Sequence, residues 1–244
     1  MHEFVVFYHI FKAGPWKTMV EEQLTRIVLS GLYNECEEIR VYAIGNGNVA
    51  GMFDNYPKIK VHEDSDANSW ELGTLQALHK YAKENLGKHL LYIHTKGISR
   101  LTPSTNSWRK VMEHYCIDSY TTCIRLLAVN DMVGINLSPN PRPHYSGNFW
   151  WATSKYIATL KPLSSTVLIG PRPIRMNAEM WPASGSGRFV CLHYSGCNHY
   201  EVDYDDSNYL GLSIEDSMRA AQAMKEKLWS ERTLPSSTEF FEAL

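Results

Sequence analysis

The chain has 244 residues, 44% of them hydrophobic, and is therefore long enough to bury a large core. Its formal net charge of −2 gives no electrostatic reason to expect nucleic acid or an anionic membrane as the main partner. We expect no transmembrane segment, because no apolar run approaches eighteen residues, and no signal peptide, because the first residues, MHEFVVFYHIF, show no basic region or cleavage site. Five irregularly spaced cysteines argue against a disulfide framework and favour a reducing, cytoplasmic location.

Strands and helices alternate along the chain. Short apolar runs predict strands at 3–11, 39–44, 59–62, 89–94, 132–136 and 189–193. Helical periodicity or short helical stretches predict helices at 16–32, 71–86, 107–127, 154–160, 177–181 and 213–229. Proline and glycine residues interrupt the stretch 164–175. Three prolines argue against regular structure after the strand at 132–136. The tail after Leu234 is expected to be loose.

This order predicts an α/β fold with a central, mainly parallel mixed sheet flanked by helices. We expect one domain at 1–212, with a helix and tail at 213–244 packed on the same domain. Ligands in such sheets bind beyond the carboxyl ends of the strands. The polar residues predicted at that edge are Tyr8, His9, Asn46, Asn48, Asp64, Asp66, His94, Thr95 and Lys96.

Two short motifs at this edge suit phosphate chemistry. Lys96 and Gly97 follow a strand directly and place a cation beside a residue that lets backbone amides approach a diphosphate. The alternative is a turn lysine in solvent. Asp64 and Asp66 form an Asp-x-Asp that can hold Mg²⁺ or Mn²⁺, although such pairs more often cap a turn or a helix.

Other candidates lie further along the chain. Cys191, His193, Cys197 and His199 carry zinc-binding donors but lack a paired C-x₂-C knuckle, so structural zinc is disfavoured. His193 remains a candidate for a single ligand or a phosphate donor, against a histidine satisfied in the core. Glu179 stands among apolar neighbours, which can raise a carboxyl pKa towards that of a general base; the alternative is a surface glutamate.

The segment 145–156, YSGNFWWATSKY, joins a polar turn to three adjacent aromatic residues. Gly147 and Asn148 are residue types that tolerate unusual backbone dihedrals. Neighbouring side chains on an extended segment point to opposite faces, so one of Trp150 and Trp151 could enter the core while the other lines a cleft. The alternative is an aromatic plug within a loop.

Five blocks resemble glycosyltransferases of the GT-A fold: LYIHTKGIS at 91–99, NSWRKVMEHYCI at 106–117, DMVGIN at 131–136, YSGNFWWATSKYI at 145–157 and NAEMW at 177–181. Small transferases such as the capsid-glycan enzyme of chlorella viruses, and related bacterial proteins, are the most similar. The resemblance covers about residues 3–200. It implies transfer from a nucleotide sugar, expected to be a UDP-sugar, to a glycan or polysaccharide acceptor, usually with Mn²⁺ or Mg²⁺.

The resemblance also implies roles for individual residues. The donor would be bound by Tyr8, Asn46, Thr95, Lys96 and Gly97. Aromatic faces stack on sugar rings, so the sugar would be held by Asn148, Trp150 and Trp151. Glu179 would act as the catalytic base for the acceptor hydroxyl.

One departure from the family concerns the metal. His94-Thr95-Lys96 stands where these enzymes typically carry their Asp-x-Asp, so either Asp64 and Asp66 replace it or Lys96 neutralises the diphosphate without a metal. LHYSG at 192–196 is similar to the HYxG segment of glycogenin-like transferases, which adds His193 as a metal ligand, with His94 as a further possibility. Two alternatives stay open: a non-catalytic carbohydrate-binding or scaffold domain, and a metal-dependent nucleotide-sugar hydrolase.

Overall fold

The computed structural model of the protein describes residues 4–64, 66–163 and 173–231. Most of the interrupted stretch predicted at 164–175 and the whole tail after Leu234 lie outside these residues. Within them, no helix is long and apolar enough to cross a membrane.

The first half of the chain alternates strands and helices as predicted. Its elements are β1 (Phe4–Phe11), α1 (Trp16–Leu29), α2 (Leu32–Glu35), β2 (Glu38–Ile44), β3 (Ile59–Asp64), a 3₁₀ turn (Ala67–Ser69), α3 (Leu72–Glu84) and β4 (His89–His94). α1 ends earlier than the predicted Leu32 because Gly31 adopts φ +86°, a left-handed conformation that terminates helices.

The second half holds shorter elements. They are α4 (Pro103–Glu113), a π-helical turn (His114–Asp118), α5 (Tyr120–Leu127), β5 (Met132–Gly134), β6 (Leu137–Ser138), β7 (His144–Tyr145), β8 (Trp150–Thr153), α6 (Ser154–Thr159), α7 (Pro173–Met180), β9 (Phe189–Cys191), a 3₁₀ turn (Asp206–Asn208) and α8 (Ile214–Ser230). α4 begins before the predicted position 107 because Thr102 and Thr105 form a capping box around Pro103. The expectation of no regular structure around the three prolines was wrong at their flanks, where β6 and β7 pair as a short hairpin.

Seven strands form the central sheet in the order β3-β2-β1-β4-β8-β5-β9. β1 to β4 are mutually parallel where they pair, β5 is parallel to β9, and β8 runs antiparallel between β4 and β5. The predicted α/β class with a mainly parallel mixed sheet and flanking helices is confirmed at this level.

The sheet separates two hydrophobic cores, and the adjacent tryptophans divide between them. Trp151 packs with α1, α4 and α5 residues, and Trp150 packs with α3 and α6 residues on the other face. The two indoles therefore point to opposite faces as predicted, but both are 0% exposed because helices cover both faces. The predicted sugar-stacking role of Trp150 and Trp151 was wrong, since neither ring offers a face to a ligand.

Candidate functional site

The carboxyl ends of β1 and β4 meet at the point where the strand order changes direction. From β1 the chain builds outward through β2 to β3, and it then returns to place β4 on the other side of β1. Open α/β sheets bind ligands in the crevice outside such a switch point. His94, Thr95 and Lys96 follow one another here and are all buried, so their polar atoms need partners.

Gly147 connects three of the elements that surround this edge. Its carbonyl oxygen lies 2.9 Å from His94 Nε2, and its amide donates to Glu179 Oε1 at 2.8 Å. Its φ is +97°, and an added Cβ would lie 2.4 Å from Met112 Sδ and 2.8 Å from Trp108 Nε1. Glycine alone suits both the dihedral and the space.

Asn148 continues the turn with φ +62° and is buried. Its Oδ1 accepts a 2.8 Å hydrogen bond from Trp150 Nε1, and an indole nitrogen only donates, so Nδ2 must face Glu71 Oε2, 2.6 Å away. Both ends of the Asn148 amide are thus engaged within the protein. Asn148 positions Glu71, which differs from the predicted contact to a sugar hydroxyl.

His94 and Glu71 share a proton in this arrangement. The carbonyl oxygen of Gly147 only accepts, so His94 Nε2 must carry a hydrogen. His94 Nδ1 lies 3.1 Å from Glu71 Oε1, and a hydrogen must therefore lie between these two atoms, on the imidazole or on the carboxyl group. The pair is neutral overall in either case, which lowers the cost of burying it.

Burial and charge set the proton affinity of the groups around this pair. Burial raises the pKa of Glu71 and the negative charge of Glu179 raises it further, whereas His9, Lys96 and the hydrogen bond from Asn148 act in the opposite direction. Burial also lowers the pKa of His9 to about 4. His9 Nδ1 lies 2.8 Å from the hydroxyl of Thr74. This edge therefore holds two carboxylates, two imidazoles and one ammonium in a buried setting.

Lys96 lies in the protein interior instead of in solvent, so the alternative of a solvated turn lysine does not apply. Its Nζ lies 3.9 Å from the centroid of the Trp108 ring, a cation–π contact. The imidazole of His199 stacks on the same tryptophan, with ring centroids 5.0 Å apart and planes 8° apart. Burial, followed by the charges of Lys96 and His193, lowers the pKa of His199 to about 4.

Two of the predicted donor-binding side chains form hydrogen bonds inside the protein, one between β1 and α1 and one between β1 and β4. The hydroxyl of Tyr8 donates to Gln23 Oε1 at 2.6 Å in the core, so its predicted contact with a nucleotide was wrong. Thr95 Oγ1 accepts from the amide of Phe11 at 2.9 Å and ties β4 to β1. Asn46 is exposed after β2, and Gly97 adopts φ +84° directly after Lys96, so both remain at the edge as predicted.

The predicted metal ligands do not come together. Asp64 ends β3 at one side of the sheet, whereas His193 follows β9 at the other, about 29 Å away at the usual strand spacing. His193 is satisfied in the core by Tyr115, Ser217 and Tyr204, at 3.2, 2.9 and 2.8 Å. A metal site built from Asp64, Asp66 and His193 was therefore wrong.

The side chains of Asp64 and Asp66 accept hydrogen bonds within the turn that they form. Asp64 Oδ1 accepts from the amide of Asp66, and Asp66 Oδ1 accepts from the amide of Asn68, both at 2.9 Å. His94, the remaining possible ligand, is held by Gly147 and Glu71. Across residues 4–64, 66–163 and 173–231, no three His, Cys, Asp or Glu side chains cluster with metal-ligating geometry. The Mn²⁺ or Mg²⁺ implied by the resemblance thus has no fitting ligand set there, and the Cys191 to His199 zinc set does not assemble either.

Sequence reasoning missed Glu71 and Trp108 as members of this site. Glu71 directly precedes α3, the helix that follows β3, so the rule about carboxyl ends could have found it if applied to the start of the helix. Trp108 gave no signal, because its helical spacing is that of an ordinary core residue.

The sequence matches the model of one protein family, described as "Domain of unknown function (DUF8361)", over residues 7–165. This is more than half of the chain. The protein belongs to the DUF8361 family. The matched region contains the second part of β1 and all of β2 to β8, and with them His9, Glu71, His94, Lys96 and Gly147, whereas Glu179 and His199 lie beyond it.

Solved structures give only distant likenesses to this DUF8361 protein. A 4-diphosphocytidyl-2C-methyl-D-erythritol synthase has 9% identity and a TM-score of 0.37, covering 92% of this chain and 99% of its own. A GalNAc-T7 structure with UDP, GalNAc and Mn²⁺ has 12% identity and a TM-score of 0.35, covering 94% of this chain and 51% of its own. No curated protein sequence gives a significant match. TM-scores this low support no argument about function.

We expect Gly147→Ala to destabilise the protein by about 2–5 kcal/mol, because strain at positive φ adds to overpacking against Met112 and Trp108. Gly211→Ala is the matched control, since Gly211 has φ +87° with nothing within 4 Å of an added Cβ. Urea unfolding of both variants measures the difference. Equal losses of unfolding free energy would contradict the tight packing at Gly147.

Stability should fall as pH drops from about 6.5 to about 4. Burial lowers the pKa of His9, His193 and His199 to about 4, whereas an unfolded histidine titrates near 6.5. Between these values the unfolded chain binds more protons, so each histidine removes up to ~3 kcal/mol of unfolding free energy as the pH falls. Urea titrations from pH 7 to 4 measure this loss, which His193→Gln should reduce.

Proposed function

We propose that this DUF8361 protein is a glycosyltransferase that moves a sugar from a nucleotide-sugar donor, most simply a UDP-sugar, to a glycan or polysaccharide hydroxyl. One observation carries the proposal. The switch point of a mainly parallel sheet holds the carboxyl group of Glu71, which interacts by charge with a buried ammonium, Lys96, and with a second carboxylate, Glu179. Glycosyl transfer needs these two kinds of group, a cation for the leaving diphosphate and a carboxylate for the entering hydroxyl.

Glu179 is the proposed base. Its Oε1 accepts from the amide of Gly147, and this bond fixes the direction of the carboxylate on α7. Its negative charge is among the causes that raise the pKa of Glu71, so the proton of the Glu71–His94 pair lies close to the proposed base. A base in this setting would remove the proton of an acceptor hydroxyl as the hydroxyl oxygen attacks the anomeric carbon.

Lys96 is the proposed partner of the diphosphate. An ammonium in a buried setting interacts with phosphate oxygens more strongly than one in water. Gly97, with φ +84°, follows it and lets the backbone approach the ligand. The described residues include no set of side chains that fits a metal ion. The steps proposed here therefore rely on protein side chains alone.

Binding of UDP should depend on Lys96, whereas binding of uridine should not. Lys96→Met keeps an unbranched apolar side chain beside Trp108 but removes the ammonium group, and it should raise the UDP dissociation constant about tenfold or more. Isothermal titration calorimetry with both ligands, in the presence and absence of Mn²⁺, measures the effect. Lys80→Met, an exposed lysine on α3, is the control.

Three outcomes of this titration bear on the proposal. A selective loss of UDP affinity supports it, and equal losses for UDP and uridine would remove Lys96 from the diphosphate site. No binding of UDP or of any other nucleoside diphosphate by the unmodified protein would exclude the enzyme and favour a carbohydrate-binding or scaffold domain.

Glu179→Gln should reduce sugar transfer by a factor of about 10²–10⁴ while leaving the UDP dissociation constant within twofold, because general-base catalysis contributes on this scale. The measurement is release of UDP from UDP-sugars with a panel of glycan acceptors, followed by mass analysis of the products. Glu84→Gln, at an exposed position on α3, controls for loss of a carboxylate. Normal turnover in Glu179→Gln would exclude Glu179 as the base, and UDP release without any glycosylated product would favour a hydrolase.

A further inference from the structure

A serine and a histidine form a hydrogen-bonded pair further along the same edge of the sheet. Ser195 Oγ lies 2.6 Å from His199 Nε2, in the loop that follows β9. Ser195 is half-buried, whereas His199 is buried. Neither side chain has a role in the glycosyl transfer proposed above.

Asn136 contacts both members of this pair and shows which nitrogen of His199 accepts. The amide of Ser195 donates to Asn136 Oδ1 at 2.8 Å, so the side-chain oxygen of Asn136 must face Ser195. Nδ2 of the same side chain, a donor only, then lies 3.4 Å from His199 Nε2. Two donors do not face each other, so His199 Nε2 is an acceptor. The hydroxyl of Ser195 then has two acceptors within reach, His199 Nε2 at 2.6 Å and Asn136 Oδ1 at 3.1 Å, and the shorter contact favours the imidazole.

This is the arrangement of an activated nucleophile, a hydroxyl whose hydrogen is directed at an unprotonated imidazole. The rest of the protein holds the imidazole in that state. Its own burial, followed by the charges of Lys96 and His193, disfavours the imidazolium. Tyr204 packs against the ring edge-on, with centroids 5.4 Å apart, and Cys197 Sγ lies 3.8 Å from Nδ1.

Gly196 supplies the remaining group that acyl chemistry requires. Among the described residues its amide has no hydrogen-bond acceptor, and it directly follows the nucleophile. The amide after a serine nucleophile is a known position for stabilising the oxyanion of a tetrahedral intermediate. Gly196 is exposed with φ +68°, and an added Cβ would have nothing within 4 Å, so a substrate can approach from this side.

We infer that Ser195 and His199 form a nucleophilic dyad that accepts the acyl group of a small carboxylic ester. Ser195 Oγ attacks the carbonyl carbon and its proton passes to His199 Nε2. The ester C–O bond then breaks, the leaving alcohol takes that proton, and an acyl-Ser195 ester remains. Water attacks this ester with His199 as the base, releasing the carboxylic acid and restoring Ser195.

The first experiment is covalent labelling. The full-length protein is incubated with a fluorophosphonate probe, which forms a bond only with a nucleophilic hydroxyl, and the labelled peptide is identified by mass spectrometry. Label on Ser195 that p-nitrophenyl acetate competes away supports the inference. Because the unmodified protein is used, misfolding of a variant cannot confuse the result, and the absence of label at Ser195 would overturn the inference.

The second experiment measures hydrolysis of p-nitrophenyl acetate. Ser195→Ala should abolish the burst of p-nitrophenol, and His199→Gln should slow it at least tenfold. Ser138→Ala is the matched control, since Ser138 is also half-buried but its hydroxyl bonds a backbone carbonyl, that of Asn140. A burst that persists in Ser195→Ala would contradict the inference.

The pH profile separates this role from a structural one. His199 must be neutral to accept the proton, so the acylation rate should be flat from pH 8 to 6 and fall as the pH approaches about 4. Lys96→Met removes a charge that disfavours the imidazolium, so it should move this fall to higher pH. The same profile in Lys96→Met would contradict the assignment of His199 as the base. None of these readouts uses a nucleotide sugar, so they are independent of the proposed transferase activity.

Discussion

The turn at Gly147 and Asn148 holds the candidate functional edge of this protein together, because both residues have positive φ and both are packed in the interior. Gly147 binds His94 through its carbonyl and Glu179 through its amide. Asn148 binds Glu71 and the indole of Trp150. The turn therefore fixes the relative positions of β4, β8, α3 and α7 with four hydrogen bonds, and a carboxylate from each of two separate parts of the chain is brought to one edge.

The same turn lowers the free-energy cost of burying these charged groups. Burying a lone carboxylate or ammonium group destabilises a protein because the group loses its hydration, so such groups are usually paired or neutralised. Glu71 is neutralised by the proton that it shares with His94, and Glu179 accepts from a backbone amide. The charge of Lys96 lies on the electron-rich face of Trp108. Charges held in fixed positions in a largely buried setting stabilise a transition state more strongly than charges in water do.

Local patterns in the sequence predicted most of the elements, because apolar periodicity reports which face of a segment is buried. The carboxyl-end rule likewise found His9, His94 and Lys96. It could not show that β8 inserts antiparallel between β4 and β5, since strand order depends on contacts between distant segments. The same missing information explains the errors at Trp150, Trp151 and His193. With β8 in the middle of the sheet both indoles are covered, and with β9 at its far side His193 is remote from Asp64.

Trp108 links the two parts of the edge. Lys96 lies over its ring on the side of the proposed diphosphate site, and His199 stacks on the same indole beside Ser195. Lys96 lowers the pKa of His199, so the two groups are coupled by charge. An anion that binds beside Lys96 offsets the positive charge that His199 experiences and raises the pKa of the imidazole. Occupancy of the proposed diphosphate site would therefore change the proton affinity of the proposed base, His199, with no movement of the backbone required.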